Sequence, residues 1–227
     1  MLETTITERK TGNVTTGRIP ERKLSYRGAP KRALDIILTL VFLPMVLPVL
    51  AVLYFLVKRD GGPAFFGHER IGLNGKPFKC WKVRSMVPDA KARLDALLAS
   101  DSEAMAEWMR DRKLRSDPRI TRFGAFLRKS SLDELPQLIN VLRGEMSLIG
   151  PRPVPQEELD QNYGGHKWVY QSVRPGVTGL WQVSGRNDVS YAERVQMDVD
   201  YYASLTLMGD LRILIGTIGA VLKRTGC

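Results

Sequence analysis

The chain is poor in cysteine, histidine and acid. Among its 227 residues are two cysteines and two histidines. Cys80 and Cys227 lie far apart, and only His68 and His166 could join them. A disulfide framework is therefore excluded and no zinc-ligand spacing is present, which fits a reducing compartment. Asp and Glu number 24 against 34 Lys and Arg, a formal net charge of +10. Such an imbalance calls for acidic partners: anionic lipid headgroups, nucleic acid or phosphorylated small molecules. Internal repeats are absent. So are an RNP-type motif and a helix-turn-helix pattern, and their absence argues against nucleic acid.

Long apolar runs are also lacking, with one exception. The 22 residues from Ile36 to Val57 carry no charge. As a straight helix they would extend roughly 33 Å, enough for a hydrocarbon core of about 30 Å. The run starts too far into the chain, and has too few small residues after it, for a cleaved signal peptide. Pro44 and Pro48 interrupt its middle. Each removes a backbone donor and crowds the carbonyl four residues back, so a bend near mid-membrane is expected. Lys31-Arg32 before the run and Lys58-Arg59 after it satisfy the positive-inside bias best if both ends return to the cytoplasm. The segment reads as a re-entrant helical hairpin. On these residues alone a proline-kinked spanning helix and a buried core helix stay open.

This divides the chain into a flexible basic arm over residues 1–30 that can lie on anionic headgroups, a re-entrant membrane helix over 31–59 and one cytosolic domain over 60–227. The expected class is α+β and predominantly helical, with a small β-hairpin and interfacial helices. Two aromatic and β-branched runs, Ala64 to Ile71 and Phe78 to Val83, flank Asn74-Gly75, a strong hairpin signal. Pro88 opens a long charged helix, in which Leu94, Leu97, Leu98, Met105, Trp108 and Met109 form a stripe of the kind that usually packs in a core. Further helices are expected over Thr121 to Lys129 and from near Ser131 to Leu142, with Gly144 as the stop. Ile213 to Leu222 is apolar but too short to span, and fits a core helix or an interfacial one equally.

Ser131, Asp133, Glu134 and Pro136 concentrate the chemical interest. The bland reading is a helix start: Ser131 and Glu134 match a capping box, and with Asp133 as the cap Pro136 falls harmlessly in the first turn. The surrounding charge suggests more. Arg128 and Lys129 lie just upstream, and Lys82, Arg84, Arg152, Arg174 and Arg186 sit in segments a compact fold could gather. A guanidinium fork suits phosphate, and paired carboxylates suit a hard cation such as Mg²⁺. Taken singly, each cation could equally be solvated surface.

Several blocks in order resemble the bacterial sugar transferases, the monotopic phosphoglycosyl transferases that act on polyprenyl phosphate. They are Lys31-Arg32 with Asp35, Lys82-Val83-Arg84-Ser85-Met86, Arg128 with Ser131 to Gln137, Gly144 to Pro153, Arg174 to Asn187, and Asp198 to Tyr202. The resemblance runs from about Lys31 to the C-terminus and is closest to the short form that begins exopolysaccharide repeat units. It implies that Asp133 attacks the β-phosphate of a UDP-sugar, releases UMP and holds the sugar phosphate covalently until polyprenyl (undecaprenyl) phosphate takes it. It further implies Mg²⁺ on Glu134 with Asp133, and phosphate clamps at Arg128, Arg152 and Arg174, with Lys82 and Arg84 as weaker candidates. Arg186 and Asn187 are assigned to nucleotide or sugar. The expected place is the cytoplasmic face of a bacterial inner membrane, among membrane lipids. Leu47-Pro48 stands where family members often have Ser-Pro. The sugar is left between UDP-galactose and UDP-glucose, and the oligomeric state is left open. A membrane-tethered scaffold or a soluble UDP-sugar hydrolase would share parts of this pattern.

Overall fold

A computed structural model describes residues 26–111, 114–184 and 189–222. The first 25 residues of the basic arm, and both Arg186 and Asn187, lie outside the described residues. The architecture is α+β and mostly helical, as expected. Helix α1 (Ala29–Lys58) is 30 residues long and apolar enough to cross a membrane by length and composition. It stays helical through Pro44 and Pro48, so the hairpin of two helices expected at the prolines is here one continuous helix. A proline frees only one upstream carbonyl each, here those of Leu40 and Pro44, and leaves the rest of the ladder to hold. One face of α1 is buried at Lys31, Asp35, Thr39, Leu50, Leu53 and Val57, positions three or four apart at either end. Ile37, Val41, Met45, Val52 and Phe55 stay exposed on the others.

Strands β1 (Phe65–Ile71) and β2 (Pro77–Val83) form the expected antiparallel hairpin, with Phe65 opposite Val83 and Ile71 opposite Pro77. Its turn uses Asn74 at φ 58° and Gly75 at φ 73°, the left-handed pair that Asn-Gly tolerates best.

The charged segment after Pro88 departs from expectation. It is two helices, α2 (Ala90–Ser100) and α3 (Ser102–Asp111), and Asp101 between them is extended. The Asp101 carboxylate accepts from the amides of Glu103 and Ala104, so it caps α3 and ends the run of α2. No residue of α2 is buried, and Met105 and Met109 are exposed. The apolar stripe therefore does not form the core.

Helix α4 (Arg122–Lys129) starts at Thr121, whose hydroxyl accepts from Gly124 N at 2.8 Å. A Cβ on Gly124 would lie 1.8 Å from the Ser85 carbonyl, so only glycine lets α4 approach the strand end this closely. The next helix does not begin at Ser131. Ser131 sits at φ 57° with no side-chain cap, a 3₁₀ turn covers Leu132–Glu134, and α5 (Gln137–Arg143) follows Pro136. The capping box is not formed, because the left-handed Ser131 turns the chain before a helix can start. Gly144, at φ 82°, ends α5 as expected.

The second half adds β3 (Ser147–Ile149) and β4 (Gly176–Thr178), a short parallel pair, with α6 (Gln156–Asn162) and α7 (Lys167–Gln171) between them. Then come α8 (Leu180–Ser184), α9 (Tyr191–Ser204) and α10 (Leu207–Leu222). Ser190 and Glu193 make a complete capping box for α9. The main core joins Phe78, Cys80, Val141, Met146, Ile149, Tyr201, Leu205 and Ile213. Helix α10 buries Ile213 there and exposes Leu207, Met208, Ile215 and Ile218, an amphipathic arrangement suited to an interface.

Candidate active site

Strand alternation puts Phe78, Cys80 and Lys82 on one face of β2, opposite Arg70, His68 and Phe66 of β1. Beyond the end of β2, Ser85 touches α4, and past α4 the 3₁₀ turn carries Asp133 and Glu134 back against Lys82. The Lys82 ammonium lies 2.6 Å from Glu134 Oε1 and 3.7 Å from Asp133 Oδ2. Asp133 is 7% exposed, whereas Lys82 and Glu134 are about half-buried. The positive φ of Ser131 is a costly conformation for a side-chain-bearing residue, of order 1–3 kcal/mol. It aims the two consecutive carboxylates at one cation.

Burial pushes the Asp133 carboxyl up to about 6, against the pull of Lys82 and Arg128 and with help from Glu134. For Lys82, burial lowers and the two carboxylates raise, and the carboxylates prevail, so it remains an ammonium. Arg128 anchors through Nε to Ser85 Oγ at 2.9 Å, and the charge of Asp133 acts on it. Arg152 leaves the loop after β3, stands 5.7 Å over the Trp181 ring and opposes the charge of Lys82. Lys82 and Arg128 are thus brought to the carboxylate pair, and Arg152 comes close enough for its charge to act on Lys82.

Two other arginines are not. Arg84 donates to Asp60, 2.9 Å through Nη1, and to the carbonyls of Pro63, Met86 and Val57. It fastens the end of α1 to the hairpin. Arg174 donates to the Gly144 carbonyl at 2.8 Å, past the C-terminus of α5 and near Arg32. The opposite end of α5 carries the carboxylates.

Cys80, 2% exposed, lies where Lys82, Arg70, Arg152 and Glu134 all act on it, and burial pushes its thiol up to about 11. It is a neutral floor rather than a nucleophile. Sequence reasoning passed over Arg70 and this floor. The hairpin register could have found both, since every even-numbered residue from 66 to 70 and 78 to 82 shares the face of Lys82.

For a metal, the donors are two adjacent hard carboxylates. Among the described residues no group of three or more His, Cys, Asp or Glu side chains could hold an ion. Mg²⁺ is ordinarily bound by one or two carboxylates plus substrate phosphates, so Asp133 and Glu134 fit that need in kind and number.

The profile of the family described as bacterial sugar transferase matches residues 26–224. The chain is 55% identical over 196 residues to the UDP-galactose-lipid carrier transferase of Erwinia amylovora, covering 86% of this chain and 41% of that protein. Identity to the exopolysaccharide production protein ExoY of Rhizobium meliloti is 47%, covering 92% and 93%. The UDP-glucose:undecaprenyl-phosphate glucose-1-phosphate transferase of Escherichia coli is 36% identical, covering 83% and 39%. The chain therefore spans about two fifths of the first and third of these relatives and nearly all of the second.

Proposed function

Since the chain belongs to the bacterial sugar transferase family, we propose that it transfers hexose 1-phosphate from a UDP-sugar to undecaprenyl phosphate and so initiates an exopolysaccharide repeat unit. The observation that carries this reading is a buried carboxylate, Asp133, set against Lys82 and Arg128 in a domain fastened to a long apolar helix. Asp133 attacks the β-phosphorus of the donor. The bond from that phosphorus to the oxygen bridging to the α-phosphate breaks, and UMP leaves with the electron pair. A phosphate oxygen of the lipid then attacks the same phosphorus and frees Asp133, giving the lipid-diphosphate sugar. A carboxylate is a weak nucleophile, so position and charge neutralisation must do most of the work. Lys82, Arg128 and Arg152 neutralise the transferred phosphoryl oxygens. Glu134 with Asp133 would hold Mg²⁺, which supplies further positive charge to those oxygens when bound.

Both ends of α1 are held by the one domain: Lys31 by Asp210 at 2.6 Å, and the Val57 carbonyl by Arg84 at 3.2 Å. This supports a helix whose two ends meet the same side of the membrane, with the deflection taken up within the helix at Pro44 and Pro48 and not by a turn between two helices. The place is then the cytoplasmic face of the bacterial inner membrane, where a water-bound nucleotide and a lipid head can meet. The higher identity to the galactose-named relative favours UDP-galactose over UDP-glucose.

Purified protein in lipid nanodiscs with Mg²⁺, undecaprenyl phosphate and either sugar nucleotide tests this. Lipid product is expected by mass and UMP in equal amount, with UDP-galactose turned over faster. Sugar 1-phosphate and UMP formed without the lipid would instead make the protein a hydrolase.

The ionisation of Asp133 gives a second check. As pH falls through about 6 the nucleophilic carboxylate is lost. The kcat/KM for the UDP-sugar, which reports only the first half-reaction, should be level above about pH 7 and fall about tenfold per unit below about pH 6. A level profile down to pH 5 would mean that Asp133 is not the group attacked with.

A further inference from the structure

Lys82 and the carboxylate pair reach one another from separate elements, β2 and the turn before α5, so something must fix how far α5 slides along the strand. The apolar contacts do not. Phe78 and Cys80 of β2 share the main core with Leu138 and Val141 of α5, and burial of this kind is non-directional. Direction comes from one polar side chain. Asn140, in the middle of α5 and 0% exposed, accepts from Trp81 N at 3.0 Å through Oδ1 and donates from Nδ2 to the Lys79 carbonyl at 2.7 Å.

Those two backbone groups lie on the edge of β2 that faces away from β1, with which no strand pairs among the described residues. They flank Cys80, and they are the pair that one residue of a parallel neighbouring strand would take. The carboxamide therefore stands in for a missing strand on an otherwise open edge. Its orientation has one solution. The Lys79 carbonyl and Glu145 Oε2, the latter 2.5 Å from Nδ2, can only accept, and the Trp81 amide can only donate. Trp81 adjoins Lys82, and Glu134 ends the turn that leads through Pro136 into α5. A slip of α5 by a single residue would carry the carboxylates about 1.5 Å past the Lys82 ammonium.

We propose that Asn140 is a positioning residue for the transfer: by clasping the open edge of β2 it sets the 2.6 Å approach of Lys82 to Glu134, and so the place of the Lys82 charge against the phosphoryl group. Fully buried, it acts through Lys82 and not on the substrate. The assignment rests on the reading of the protein as a UDP-sugar phosphotransferase in which Lys82 serves the transferred group. A misplacement of about 1 Å can cost about 10²-fold in rate, so a clasp away from the reacting atoms can govern turnover.

Asn140→Ala removes the clasp, and Asn140→Gln keeps the carboxamide at the wrong length. Each is made in the full-length protein and again in a Lys82→Met background, and reconstituted in nanodiscs. Saturating radiolabelled UDP-sugar and Mg²⁺ are added without lipid, so that the rate of label uptake on the protein reports the first half-reaction alone. Asn140→Ala is expected to slow uptake about tenfold or more, while the half-saturating UDP-sugar concentration stays within about threefold. With Lys82 already gone it should slow uptake by less than about twofold further, because the charge it would misplace is absent. Asn140→Gln should give the same pattern, and is read alone if Asn140→Ala does not fold. An equal factor in both backgrounds makes Asn140 a support of the fold only and overturns the proposal, as does unchanged uptake in folded Asn140→Ala. Wild type that takes up no label overturns the proposed activity instead. In that case, or where Lys82→Met takes up too little label to time, the melting temperature decides. The change caused by Lys82→Met should shrink once Asn140→Ala is present, and additive changes overturn the clasp.

Discussion

Asp133→Asn should abolish transfer and at the same time stabilise the protein. The variant keeps the shape of the side chain but removes the attacking charge, and loss of a covalent nucleophile typically costs at least about 10⁴-fold in kcat. With radiolabelled UDP-sugar and no lipid, wild type should retain label on the protein and the variant none. The stability effect has the opposite sign. Asp133 is raised from 3.8 to about 6 in the folded protein, so its ionised form costs the fold about 3 kcal/mol. That penalty is absent below about pH 4, where both states are protonated, grows as pH rises between the two values, and is complete above about pH 6. Asparagine avoids it. The variant should melt several degrees above wild type at pH 7.5 and level with it near pH 4. A variant that is both inactive and less stable at pH 7.5 would mean that Asp133 holds the site together instead of being held in it at a cost.

The local signals that proved legible are those with one physical solution. Asn74-Gly75 admits a left-handed turn at little cost, and once the turn is set the register from Phe65–Val83 to Ile71–Pro77 follows. Thr121 and Gly144 bound their helices for similarly local reasons. The stripe from Leu94 to Met109 misled because periodicity reports a helix face and says nothing of what covers it, and because one capping carboxylate, Asp101, ended a helix that no Gly or Pro marks. At the site, the Asp133-Glu134 pair is contiguous in sequence, so its proximity needed no fold. The partners needed one. Lys82 and Arg84 are two residues apart and looked alike, yet Lys82 meets the carboxylates while Arg84, past the strand end, is taken by Asp60, 24 residues upstream. Such pairing depends on how α1 returns to the hairpin. Arg70 went unnoticed because its place follows from strand parity, not from a motif.

The largest loss of stability is expected at the other end of α1. Lys31 and Asp210 pair at 2.6 Å with side chains 9% and 0% exposed. Asp210 Oδ2 also accepts from Tyr26, and Oδ1 lies 3.0 Å from the Tyr201 hydroxyl. One turn along α1, Asp35 accepts from Ser147 Oγ and Leu148 N, both at 3.0 Å, which fixes β3 against the helix. Arg152 lies in the loop that β3 leads into, so the seat of the apolar helix and the position of Arg152 share one support. Lys31→Met keeps the stem and deletes the charge, leaving the Asp210 carboxylate buried with hydroxyls alone. Breaking one side of a buried pair costs about 3–5 kcal/mol, or on the order of 10 °C in melting temperature for a chain of this size. Lys31→Met with Asp210→Asn removes both charges and should recover more than half of that loss, because the penalty lies in the uncompensated carboxylate and not in the missing attraction. A single variant that melts within about 2 °C of wild type would show that water or lipid headgroups reach Asp210. The N-terminal end of α1 would then be free to leave the domain, and a spanning helix would regain its standing.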